Sequence, residues 1–194
     1  MPKEYTFTPK FKLIVDHLKA VRTLDEYIND VGLKKDMQAL SNHLQQDLNG
    51  SVLHPAEWEE LRAVKGFLYA SPKSKSKWRV VRGDSIQIQI YLAWPVQDPG
   101  KDEPHVGLYV PENWKKRVPF IDKLKAPPGF EHFRDCPVDE VTEDTSIFKY
   151  VRYTSYIGAE GLFDSTGFIA AFGEATKALV DMKKDIDEIL DGLA

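Results

Sequence analysis

The chain of 194 residues has a single cysteine, Cys136. One thiol closes no internal disulfide, which fits a reducing compartment. No apolar run approaches the roughly 18–20 residues that a membrane-spanning helix needs. The opening "MPKEYTFTPK" also lacks the apolar stretch of a secretion signal. These absences lead us to expect a cytoplasmic protein with no membrane association.

Motifs that announce a reaction are also missing. There is no G-x-S-x-G, no P-loop and no G-x-G-x-x-G, so the commonest hydrolase and nucleotide-binding signatures are absent. The histidines (His17, His43, His54, His105, His132) are scattered, and no two stand at i, i+4 on a helix. The one local cluster is "EHFRDCPVDE", which holds His132, Asp135, Cys136 and Asp139. His-x3-Cys without a second ligand pair falls short of a zinc set. Acids around Cys136 raise a thiol pKa, the opposite of what a nucleophile needs. The pairs Asp102/Glu103 and Asp139/Glu140 are sequence neighbours, and on extended backbone they point apart. A metal-dependent nuclease core would close one strand with an acid and place acid-x-Lys in the next. Here Asp84 is followed by "IQIQI", with glutamines in those places. We therefore expect no metal set, no catalytic constellation and no cofactor.

Charge is nearly balanced. Lys and Arg number 26 against 30 Asp and Glu, a net charge of −4, which speaks against a surface wholly built for nucleic acid. The bases are nevertheless segregated. "PKSKSKWRVVR" (72–82) carries Lys73, Lys75, Lys77, Arg79 and Arg82 with no acid, and "WKKR" (114–117) adds Lys115, Lys116 and Arg117. Cations can neutralise phosphate while Trp78 stacks on an unpaired base. A solvated connector between helix and sheet explains the same run.

A hydrophobic share of 42% and a charged share of 29% suit one globular domain. The first seventy residues show helical periods. Thr8 and Pro9 open a helix with Phe11, Ile14, Val15 and Leu18 at helical spacing. Thr23 and Glu26 form a capping-box pattern, and Gly32 stops that helix. Leu33, Met37, Leu40, Leu44 and Leu48 make a third stripe; Trp58, Leu61, Val64 and Leu68, after Pro55, make a fourth. A helix-turn-helix around Val31-Gly32-Leu33 fails on detail, because Ile28 sits where that turn wants a small residue.

After Ser71-Pro72 the period becomes 2. "KWRVVRGDSIQIQIYLAWP" reads as two strands with "RGD" (82–84) as a turn, "HVGLYVP" as a hairpin partner, and "TSIFKYVRYTSYI" (145–157) as a further strand. From Asp164 or Ser165 a long helix runs to about Leu190. We read the whole as α+β, in three parts. N-terminal helices occupy about 9–70, and a mainly antiparallel sheet of four or five strands occupies about 78–157. A C-terminal helix, about 165–191, packs on one sheet face. One domain spans 1–194, with 1–70 as a candidate helical subdomain and 71–194 as sheet plus helix.

The alternation in "DSIQIQIYLAWP" sets Ile86, Ile88, Ile90, Leu92 and Trp94 on one face and Gln87, Gln89 and Tyr91 on the other. Tyr109 from the paired strand, with Arg152 and Tyr153, is expected beside them. A face of amides, phenols and a guanidinium suits recognition. The leading expectation is a non-catalytic interaction module that docks another macromolecule, most readily a protein, through this face or the helical part. The alternatives are an accessory nucleic-acid binder using 73–82 and 115–117, and an enzyme with a site assembled around Tyr91, Tyr109, His105 and Glu112.

Overall fold

In a computed structural model of the chain, residues 31–64, 67–73, 75–92, 104–125, 145–158 and 164–193 are described. Contacts between backbone positions divide the chain into two compact units, residues 1–40 and 41–194. Within the first, residues 31–40 are described, and they form the opening of helix α1 (Val31–Leu48). Helix α1 includes Gly32 near its start, where a helix end was expected. The two helices read before it lie outside the described residues.

Alternation decides the centre of the second unit. Ile88 and Ile90 are each 0% exposed, because β3 (Gln87–Tyr91) turns both to one side, and Ile86, just before the strand, is equally buried. Its neighbours are β2 (Phe67–Ala70) and β4 (His105–Tyr109), flanked in turn by β1 (Arg62–Val64) and β5 (Thr145–Tyr150). The five strands form one antiparallel sheet in sequence order, β1-β2-β3-β4-β5. Leu68 pairs with Ile90, Ile90 with Val106, Ala70 with Ile88 and Ile88 with Leu108. These side chains make a single apolar face.

That face is closed by the C-terminal helix. Helix α4 (Ser165–Asp181) packs on β3 and β4 and buries Phe168, Phe172, Ala175, Thr176 and Leu179. Asp164 caps it, its carboxylate accepting from Gly167 N at 2.9 Å. The helix bends at Met182 and continues as α5 (Lys183–Asp191), which packs on α2 (Lys75–Trp78) and α3 (Arg117–Lys125). The α+β class, the antiparallel sheet and the covering C-terminal helix are as the sequence led us to expect.

Two boundaries differ. The fourth helical stripe is not a helix in its described residues: 55–61 are irregular, and the chain then makes β1 and β2. "AEWEELRAV" has strong helix formers, but "FLYA" alternates, and pairing with β3 buries Leu68 and Ala70 at 0% and 2% exposure. Tertiary pairing overrides local propensity here. Conversely, the strand expected from residue 78 is the end of α2, and the sheet resumes only at Gln87. Between them "RGD" is a turn: Asp84 N donates to Val81 O at 3.2 Å, and Gly83 takes φ 90°, a conformation that suits glycine. The strand expected over 145–157 stops at Tyr150, and Tyr153–Tyr156 form a 3-10 turn.

Candidate functional site

The reverse face of the sheet follows from the same register. Phe67 pairs with Tyr91, Tyr91 with His105 and His105 with Tyr150; one row on, Tyr69 pairs with Gln89 and Gln89 with Gly107; then Gln87 pairs with Tyr109. Directly opposed residues share a face, so aromatic side chains from four strands stand together. The Phe67 and Tyr91 rings stack at 4.5 Å with 25° between planes, close to the roughly 4.8 Å spacing of strands. From Tyr91 the contacts run to His105 at 5.1 Å and from His105 to Tyr150 at 6.0 Å. The Arg152 guanidinium ends that branch, 5.0 Å from the Tyr150 ring. In the other direction Phe67 meets Tyr69 at 5.8 Å, and Tyr69 meets Tyr109 at 6.1 Å. Six rings and one guanidinium thus form an unbroken ribbon. The rings are half-buried, and Arg152 is exposed.

The Tyr109 hydroxyl donates to Asp84 Oδ2 at 2.9 Å, while Asp84 Oδ1 accepts from Ser85 N at 2.8 Å. The turn after α2 therefore holds one end of the ribbon. The stack spends ring faces on one another, and each aromatic pair adds about 0.5–1.5 kcal/mol beyond area burial. The half-buried rings and the exposed Arg152 are the solvent-facing part of the ribbon.

The structure brings Gln87, Gln89, Tyr91 and Tyr109 onto this face, with Arg152 reaching it over Tyr150. Two expectations change. Gln89 is only 4% exposed, so it is a buried amide in the middle of the face and no water-facing contact residue. Tyr153 belongs elsewhere: its ring stacks on Phe168 of α4 at 4.7 Å. Burial there pushes its phenol pKa up to about 12. Tyr156, edge-on to Phe168 at 5.5 Å, is raised too, first by burial and then by Glu174. Phe67, Tyr69 and Tyr150 were absent from the expected set. For Phe67 and Tyr69 the signal lay in the alternation of "FLYA", hidden by the helical reading.

Of the residues expected at the enzyme reading, Tyr91, His105 and Tyr109 share this face. Glu112 is exposed beyond the end of β4. His132 and Cys136 lie outside the described residues. Among the described residues, no group of three or more His, Cys, Asp or Glu is placed to hold a metal ion.

The basic segments are arranged differently from a nucleic-acid groove. Trp78 is 1% exposed, edge-on to Trp58 at 5.8 Å, and its Nε1 donates to Asp187 Oδ1 at 2.7 Å. It is a core residue that ties α2 to α5, withdrawn from base stacking. Arg117 is 8% exposed. Lys77 pairs with Asp191 at 2.6 Å, Lys73 Nζ donates to Pro55 O and Lys116 Nζ donates to Leu193 O. Arg79, Arg82 and Lys115 are exposed. The placement of the Lys75 side chain lies outside what is described.

Fold and ribbon define an α+β protein with a five-stranded antiparallel meander, closed by a bent C-terminal helix on one face and bearing rings on the other. Comparison with family models, curated proteins and solved structures finds no match for the chain. No described helix is long and apolar enough to cross a membrane.

Proposed function

We propose that this chain is a non-catalytic binding module that docks another protein through the ring-bearing sheet face. The observation that carries the reading is the unbroken ribbon from Tyr109 through Tyr91 to Arg152. Tyr and Arg are enriched where proteins meet, because each joins contact area to hydrogen bonding. A protein suits the ribbon better than a nucleic acid. Base stacking needs free ring faces, and Phe67 and Tyr91 stack theirs on each other. The Trp78 indole, the ring expected to stack on a base, is buried, which leaves residues 73–82 without an exposed ring to stack. We assign the module to the cytoplasm on its single cysteine.

Affinity capture from native extract with paired variants tests this. Gln87→Lys and Arg152→Glu alter the face at its two ends, and Glu174→Ala alters an exposed position on α4. Loss of the same captured protein with both face variants, and its retention with Glu174→Ala, supports the reading. Unchanged capture by both face variants removes it.

A further inference from the structure

The two basic segments, separated by more than thirty residues in sequence, meet at one place. A cleft of about 380 Å³ lies between α2, the turn before α3 and the end of α5. Its apolar wall is Val80, Leu190 and Leu193, with the indole of Trp114 beside them. Trp114 is itself held at 5.3 Å by the buried ring of Phe120. The polar lining is two ammonium groups, Lys77 and Lys116, against the single carboxylate of Asp191.

Both lysines are anchored without being used up. Lys77 Nζ donates to Asp191 Oδ2 at 2.6 Å, and Lys116 Nζ donates to Leu193 O. An ammonium has three donors, so each keeps two beyond its anchor. The element carrying Lys77 is fixed on α5 by the Trp78–Asp187 bond at 2.7 Å. A salt bridge to the last residue of α5 and a bond to a carbonyl just beyond the helix account for one donor of each lysine. They do not account for an indole and three aliphatic side chains gathered beside the lysines. The cleft's size falls in the range of small-molecule sites, roughly 300–1,000 Å³, and such sites combine apolar walls with a few convergent polar groups.

From this convergence we propose that the cleft binds a small aryl phosphate. A single planar ring lies against Trp114, Val80 and the leucines, and the dianion takes the remaining donors of Lys77 and Lys116 as charge-assisted hydrogen bonds. The site is independent of the sheet face and stands or falls without it.

Calorimetric titration of the full chain with phenyl phosphate, inorganic phosphate and phenol tests the proposal. Phenyl phosphate is expected to bind saturably, about tenfold or more tighter than either fragment, a gap of about 1.4 kcal/mol per tenfold. Lys116→Gln is expected to weaken it about tenfold, whereas Lys115→Gln, one exposed residue away, leaves it unchanged. Trp114→Ala should abolish the preference over inorganic phosphate; if that variant does not fold, Lys116→Gln still decides. Equal binding of inorganic and phenyl phosphate, an unchanged Lys116→Gln affinity or the absence of saturable binding would each overturn the site.

Discussion

Leu179 is the residue through which the closing helix can be tested most sharply. It is 1% exposed and lies on the buried stripe of α4 with Phe168, Phe172, Ala175 and Thr176. That stripe packs on β3 and β4, whose inward side chains Ile88, Ile90, Val106 and Leu108 are at most 1% exposed. Truncation to alanine removes buried methyl groups and leaves a void that surrounding side chains fill only in part, a cost of about 2–5 kcal/mol. Typical domain stability is about 5–15 kcal/mol, so Leu179→Ala should remain folded at 25 °C with much of its margin gone. For a domain of this size each kcal/mol lowers the melting point by about 2–4 °C, giving a fall of about 4–20 °C. Leu179→Asp adds an unpaired charge inside the contact and should not fold. The assay is urea unfolding followed by circular dichroism, with exposed Lys177→Ala as control, expected within about 0.5 kcal/mol of the parent. The midpoint should fall with the slope unchanged. A cost below about 1 kcal/mol for Leu179→Ala would refute the packing of α4 on the sheet.

Gln89→Ala should cost about 1–3 kcal/mol in the same assay, because a buried amide is removed from among its neighbours; a value near zero would place Gln89 in water. Trp78→Phe should destabilise by about 1–3 kcal/mol, since the Asp187 carboxylate loses its indole donor inside the fold. In a double-mutant cycle with Asp187→Asn the two effects should be less than additive, and strict additivity would deny the bond. Tyr153 should titrate near pH 12 by ultraviolet absorbance. Its folded pKa lies above the unfolded value near 10, so its contribution to stability is complete below pH 10. That contribution is lost as the pH rises toward 12, because the unfolded chain gives up the proton first. A midpoint at pH 10 would mean that the phenol is not buried against Phe168.

Much of the fold was legible because burial on one side writes a period into the chain. Ile86, Ile88 and Ile90 gave the central strand, and Phe168 through Ile189 gave the closing helix. The bend at Met182 left no trace in that stripe, since both halves keep helical spacing. Residues 55–70 misled for a physical reason. Trp58, Leu61 and Leu68 are all buried, and three buried residues at intervals of three and seven satisfy a helical template even when strand pairing and an irregular segment bury them. Two of the ribbon's six rings went unseen with that segment, as Phe67 and Tyr69 come from β2. Trp78 shows the converse limit. Lysines around an indole look alike whether the ring meets a ligand or the core, and only the Asp187 partner on a helix 109 residues away decides.

The sidedness of the sheet is tested most directly by nuclear Overhauser contacts from the methyl groups of Ile88, Ile90 and Leu108. Contacts from these methyls to Phe172 and Leu179, with separate contacts linking the rings of Phe67, Tyr91 and His105 to one another, are the expected result. Methyl groups of Ile88 or Ile90 in contact with the Tyr91 and His105 rings, and silent toward α4, would contradict the two-faced sheet and remove the surface on which docking is proposed.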